Sequence, residues 1–377
     1  MPAPTRLRFP AAAAAAAALL ASCSSGSAAE DPGGTAPGPG AIAEAERLYQ
    51  IVNDSRATTD ELTDIEQRVA KRCMEDEGFT VHYPPYFQES AFGTYGAAGY
   101  LTDAPVRAVP TPEAAEQWGF GVWTEFTYVD EDAAAELLTP EARIAFNLPD
   151  LPTGPPDTSE WDAESDAYQA DWIKAYTGAP AITSDLKGPE PDTTAPPGGC
   201  WLAMVETIYG EPYMIESDGE SYPATHRPSP ASTVEDFEDT GELSARLDGE
   251  IADFDACLAE SGHEGWELGD DLYPPLWQYF GGMYDPAYFE EYGDEEGIEV
   301  PDLPDDAPAD FAGVLDLERA MAVDFAACGQ ETGLRQAVEE GWAAMLVDAF
   351  APIEADMTAW QEEMQAHLDA AQDYLQE

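Results

Sequence analysis

The sequence predicts a mainly α-helical protein made of two pseudo-repeated helical halves, with long Pro/Gly-rich loops, disulfide staples and room for short hairpins. Three observations predict it. Apolar residues recur at three- and four-residue spacing in many segments, as on the buried face of a helix. Cys73, Cys257 and Cys328 each lie five residues before a glycine, Gly78, Gly262 and Gly333, the residue that tolerates the left-handed conformation closing a helix. Two loops also match: Tyr83-Pro84-Pro85-Tyr86-Phe87-Gln88 and Tyr273-Pro274-Pro275-Leu276-Trp277-Gln278 share four identities in six positions, which reads as an internal duplication. Convergent use of Pro-Pro beside aromatics is the alternative.

Residues 1–22 read as a secretory signal. Arg6 and Arg8 form a short cationic segment, and the apolar run 11–20 is too short to be a stable bilayer anchor. The run ends in Leu20-Ala21-Ser22-Cys23, which resembles the lipobox of bacterial lipoproteins. That resemblance implies acylation of Cys23, a mature chain beginning there, and a membrane contact made through the lipid. An ordinary signal peptide with a chance cysteine is the alternative. Residues 23–40 are rich in Gly, Pro, Ser and Ala without an apolar period, as in a flexible tether.

Beyond the tether, a first helix is expected over 42–52. A second follows from a capping box at Thr58 and Glu61, in which each side chain satisfies the other residue's free backbone N–H. Leu62, Ile65, Val69 and Cys73 continue it along one face, and Gly78 ends it. Thr111-Pro112 and Thr139-Pro140 start two short helices with proline in the first turn. A helix spans 159–176, the segment 180–197 is loop, and Cys200 opens a helix over 201–209 behind Gly198-Gly199. The proline-bearing stretch 211–233 is a short hairpin or an irregular excursion. Leu247, Ile251, Phe254 and Leu258 stripe the Cys257 helix, and Phe311, Val314, Met321 and Phe325 the Cys328 helix. Helices over 336–350 and 353–375 close the chain, separated at Pro352. The halves are drawn as 41–240 and 241–377.

Composition bounds the function. The chain of 377 residues has 76 Asp and Glu against 15 Lys and Arg, a net charge of −61, which argues against nucleic-acid binding. Loss of residues 1–22 leaves 13 basic residues and a charge of −63. Such acidity reads first as a strongly solvated surface. No stretch has the Asp-x-Asp-x-Asp-Gly order of a calcium loop. With 44% hydrophobic and 11% aromatic residues, a packed core is affordable, and a disordered acidic tail is not the expectation.

Assigning Cys23 to lipid leaves Cys73, Cys200, Cys257 and Cys328, an even number in an exported chain. Four cysteines allow three pairings, and a later cysteine in each half makes Cys73 with Cys200 and Cys257 with Cys328 the economical one. No Cys-x-x-Cys brings two thiolates to one zinc, and no metal or cofactor is expected.

Together, the lipobox, Cys73-Met74 followed by Gly78-Phe79, the stretch Ala115 to Gly121 containing Trp118-Gly119-Phe120, and Gly198-Gly199-Cys200 resemble a group of acidic secreted lipoproteins of high-GC Gram-positive bacteria. The resemblance covers most of the mature chain and implies location and disulfides, but no particular activity.

Catalytic signatures are missing. There is no Gly-x-Ser-x-Gly elbow, and Ser184-x-x-Lys187 stands in a loop without its companion motifs. His82, His226, His263 and His367 are scattered, and His263-Glu264 lacks the second histidine of a zinc peptidase. Carboxylate pairs carry no signal among so many acids. One constellation stands above background: Tyr83, Tyr86, Phe87, Tyr95 and Tyr100 in the first copy, and Tyr273, Trp277, Tyr279, Tyr284, Tyr288 and Tyr292 in the second. Packing over irregular loops is the plainer reading. The functional one is a binding patch of Tyr83, Tyr86, Phe87, Tyr273 and Trp277 for an envelope glycan or protein. The expectation is a non-catalytic binding or scaffold lipoprotein on the outer face of the cytoplasmic membrane, with a cell-wall hydrolase using carboxylates as the alternative.

Overall fold

The computed structural model describes residues 39–87, 99–101, 105–148, 156–179, 181–182, 190–191, 198–217, 220–234, 240–269, 272–292, 300–304 and 306–377. The signal and residues 23–38 of the tether, Cys23 among them, lie outside these residues, as do Tyr95, Ser184 and Lys187; the tether's last two residues, Pro39 and Gly40, belong instead to the first helix.

The described chain is mainly helical. Helix α1, Pro39–Asp76, runs for 38 residues. The capping box expected at Thr58 is not formed. The Thr58 hydroxyl donates to the Asp54 carbonyl at 2.8 Å, and Ser55, Thr59 and Thr63 donate likewise to the carbonyl four residues back. Hydroxyls that could have ended one helix and begun another instead bond within a continuous one.

Short elements follow: α2 Pro112–Trp118, α3 Glu131–Leu137, α4 Pro140–Ala145, α5 Ser159–Asp162, α6 Asp166–Thr177 and α7 Gly199–Tyr209. Thr111 and Thr139 cap α2 and α4 as their sequences predict. The single helix expected over 159–176 is divided, because Ser165 accepts from the Tyr168 N–H and starts α6 afresh. Strands β1 Ala181–Ile182 and β2 Glu190–Pro191 pair antiparallel, and so do β3 Tyr213–Ser217 and β4 Glu220–Ala224, with Tyr213 opposite Ala224. Of the two readings of residues 211–233, the hairpin is the one observed.

Helices α8 Gly241–Arg246, α9 Asp248–Glu260, α10 Leu276–Tyr284, α11 Pro286–Tyr292, α12 Phe311–Thr332, α13 Leu334–Phe350 and α14 Glu354–Gln376 complete the order.

The two cysteine helices α1 and α9 end alike. Phe79 N–H reaches the Met74 carbonyl and Gly78 N–H that of Glu75; His263 N–H reaches Leu258 and Gly262 N–H reaches Ala259. Gly78 and Gly262 have φ of +96° and +94°. Each end is a Schellman closure, with the cysteine in the same place relative to it. The bridges join Cys73 to Cys200, with Cα atoms 5.6 Å apart, and Cys257 to Cys328, 5.7 Å apart. The first ties the end of α1 to the start of α7; the second ties α9 to α12.

The buried apolar residues form two clusters. One holds Leu48 and Val52 of α1 with Trp123, Phe254, Phe280, Phe325 and Trp342. The other holds Leu62, Ile65 and Met74 of α1 with Trp172, Ile173, Met364 and Leu368. This division does not coincide with the cut at 240/241. The first half of α1 packs with residues 243–357, whereas α14 packs with α5, α6 and α7.

Candidate functional site

The two matching loops fold differently after their shared Tyr-Pro-Pro. In the first, Pro84–Tyr86 is a single 3-10 turn. In the second, Pro275 is the N-cap of α10, whose next residue, Leu276, opens nine helical residues.

The first aromatic set is a wall of the second cluster. The Tyr86 ring meets Tyr176 edge-on at 4.9 Å, Tyr83 lies 5.3 Å from Trp161, and Phe87 abuts both Trp172 and Tyr176. Trp172 in turn stacks on Tyr176 and donates its indole N–H to His82 Nδ1. Tyr100 is buried and donates to Glu339 Oε1 at 3.1 Å. Tyr83, Tyr86 and Phe87 are therefore packing residues first. They pack on a different cluster from Trp277, so the five residues named from the sequence are divided between two packing clusters.

Around α10 the second set divides. Tyr279 and Tyr284 are buried. Tyr273 is 44% exposed, and Trp277 is half-buried with its ring 4.5 Å from Phe289. Trp277 also meets Tyr288 edge-on at 6.5 Å. Beside them the turn after Phe126 brings up Tyr128 and Val129. Tyr128 is 55% exposed and Tyr288 41%, large side chains that water meets rather than core.

One carboxylate orders this platform. Asp285 Oδ2 accepts from the Tyr128 hydroxyl at 2.9 Å, and Oδ1 accepts from the Tyr288 backbone N–H at 3.0 Å. The backbone bond from Tyr288, with that from the Tyr128 hydroxyl, holds the Asp285 carboxyl below the usual carboxylate range. Phe126 lies beneath, stacked on Tyr284 at 5.5 Å and tilted against Tyr128, Trp277 and Phe289. Gly281 is small by necessity, since a Cβ there would run into the Phe289 ring.

The platform is anchored through Glu318 of α12, which is fully buried. Its Oε1 accepts from Val122 N–H at 2.9 Å, and its Oε2 accepts from the Tyr284 hydroxyl at 2.8 Å. Burial pushes its pKa up to about 7 against the lowering pull of the Tyr284 hydroxyl and of the Gly121, Val122 and Trp123 N–H groups. Trp118-Gly119-Phe120-Gly121, noted in the sequence only as a pattern, wraps this carboxylate. Gly119 and Gly121 both have positive φ, and a Cβ on Gly119 would press on Glu318.

Among the clefts that lie elsewhere, two are of similar volume. One, of about 620 Å³, is lined by the 262–266 turn, residues 300–304 and α12. There His263 Nε2 meets Asp324 Oδ2 at 2.8 Å, and Trp266 packs on Tyr279. His263 thus has a carboxylate partner in a concavity, which its sequence context did not reveal. The described lining contains no serine, threonine, cysteine or lysine for such a pair to activate. The other cleft, of about 640 Å³, is lined in part by Arg56, Asp60 and Arg227, and the Arg227 guanidinium is engaged by Glu66 at 2.6 Å and Thr63 at 2.8 Å.

Among the described residues, the carboxyl groups with raised pKa are Glu318 and Asp255, the latter pushed up to about 6 by burial. Neither lines either cleft. Among the described residues no group of three or more His, Cys, Asp and Glu is placed to hold a metal ion, and no helix is long and apolar enough to cross a membrane.

No protein-family model, curated protein or solved structure matches this chain.

Proposed function

We propose that this chain is a lipoprotein, acylated at Cys23 after loss of residues 1–22 and held at the outer face of the cytoplasmic membrane. Its folded part binds or scaffolds an envelope component and catalyses no reaction. The observation that carries the binding reading is the pair Tyr128 and Tyr288, exposed yet joined through Asp285. Exposed large apolar groups gathered in one place mark contact sites more often than chance scatter does. Tyrosine suits that task, having an apolar face, a polar tip and few rotamers to freeze.

The address rests on Leu20-Ala21-Ser22-Cys23, and the two disulfides suit an exported chain. Hydrolysis by paired carboxylates draws no support from Glu318 and Asp255, which line neither cleft.

Two measurements test the proposal. Intact-mass analysis of protein from its native membranes should show an acylated N-terminal Cys23; an unacylated N-terminus overturns the address. Crosslinking in the intact envelope should trap an adduct that is lost in Tyr128→Ala/Tyr288→Ala. Equal adducts in both proteins overturn the binding surface.

A further inference from the structure

We infer that the occupant of the Tyr128/Tyr288 platform is a basic, arginine-bearing segment of a partner polypeptide. This inference rests on the binding reading above and names its partner.

The argument is one of charge around exposed rings. The platform is built from two stretches of chain, and both lack cations entirely. No lysine or arginine occurs from Ala108 to Ala142, which includes Tyr128, or from Leu247 to Glu318, which includes Trp277, Asp285 and Tyr288. Carboxylates crowd the same stretches. Glu125, Asp130, Glu131 and Asp132 are all exposed on either side of Tyr128 in sequence, and Asp285 lies between the two tyrosines. Asp130 is held in place by accepting from Ala133 N–H as the N-cap of α3.

Such a surface selects its partner by exclusion and by attraction. A second copy of this chain brings another −61 charges, and an anionic lipid surface or a nucleic acid is repelled in the same way. A neutral glycan can stack on tyrosine and donate its hydroxyls to carboxylates, but it makes no use of their charge. A basic segment uses both features. Guanidinium groups stack on the exposed faces of Tyr128 and Tyr288, and the remaining cations pair with the rim carboxylates. Arginine is favoured over lysine because its planar, weakly hydrated head both stacks and forks to a carboxylate.

The test uses the intact mature chain and labelled octa-arginine and octa-lysine peptides, with chitohexaose as a neutral glycan, at low and at physiological salt. Any polycation adheres to so acidic a protein, so the readout is the preference between peptides of equal charge. Wild type should bind octa-arginine about tenfold more tightly than octa-lysine. In Tyr128→Ala/Tyr288→Ala that preference should vanish while octa-lysine binding is unchanged. Equal affinity for the two peptides in wild type, or a preference that survives the double variant, overturns the proposal. Chitohexaose binding that depends on the two tyrosines, without an arginine preference, overturns the basic partner but leaves the binding surface standing. If no probe depends on the tyrosines, both readings fall. If circular dichroism shows the double variant to be misfolded, Tyr288→Ser alone, on an exposed face of α11, makes the same comparison.

Discussion

Glu318 holds the platform's underside together, and its burial gives it a pH signature. Its folded-state pKa of about 7 lies above the ordinary glutamate value of 4.5. Between those values the folded protein holds a proton that the unfolded chain has released. Its contribution is therefore fully present below about pH 4.5, declines as pH rises through 7, and is flat above. The span is roughly 3 kcal/mol by linkage. Glu318→Gln cannot titrate, so the stability of wild type minus that of the variant, from urea unfolding, should fall by about that much between pH 5 and pH 8. A difference independent of pH would show that Glu318 is not shifted. This residue was illegible in the sequence because it is one of 76 acids and nothing local marks burial. Tyr128 was missed for a related reason: its ordering partner Asp285 is 157 positions away, beyond the reach of any periodicity. Trp277 stands in a repeated motif, and the same motif also pointed to Tyr83, which packs inward.

At the scale of elements, helix ends were more legible than helix continuity. The closures at Gly78, Gly262 and Gly333 are local events: glycine follows the last apolar turn and takes positive φ. Whether α1 breaks near residue 57 is not local. A threonine hydroxyl can cap a new helix or bond back to the preceding turn, and packing of α1 along α13 and α14 decides for the unbroken rod. Ala57→Pro separates the two outcomes. Just ahead of a capping threonine, proline would be tolerated. Inside a continuous helix it removes the N–H bond to Asn53 and clashes with that carbonyl, which costs about 3 kcal/mol or more. Chemical unfolding should show the larger loss, and a change under about 1 kcal/mol would mean that α1 is jointed.

For the molecule as a whole, covalent staples and charge act in opposite directions. The bridges close loops of 127 and 71 residues, and in the chain-entropy model each stabilises by about 4 to 5 kcal/mol. Cys73 packs against one apolar cluster and Cys257 against the other. Serine pairs at Cys73/Cys200 and at Cys257/Cys328 should therefore cause losses that add in the quadruple variant within about 0.5 kcal/mol. Strong non-additivity in denaturant unfolding would mean that the clusters fold as one. The cysteine pairing was legible because each half carried its own later cysteine. The partition of the core was not, because α1 and α14 are long enough to serve regions far apart in sequence. Against the staples stands a net charge of −61. Salt can act in two ways, by screening the repulsion among carboxylates and by weakening ion pairs such as Arg47 with Glu44 and Glu354. Arg47 and its two partners are exposed, where an ion pair adds little, whereas repulsion acts among all 76 acids. Screening therefore dominates. The screening length falls from about 30 Å at 0.01 M to about 8 Å at 0.15 M, so the Tm should rise by several degrees over that range at pH 7. At pH 4, where much of the charge is already neutralised, the rise should shrink. A Tm that is flat or falling with salt at pH 7 would show that local pairs, not the overall field, set the electrostatic balance of this fold.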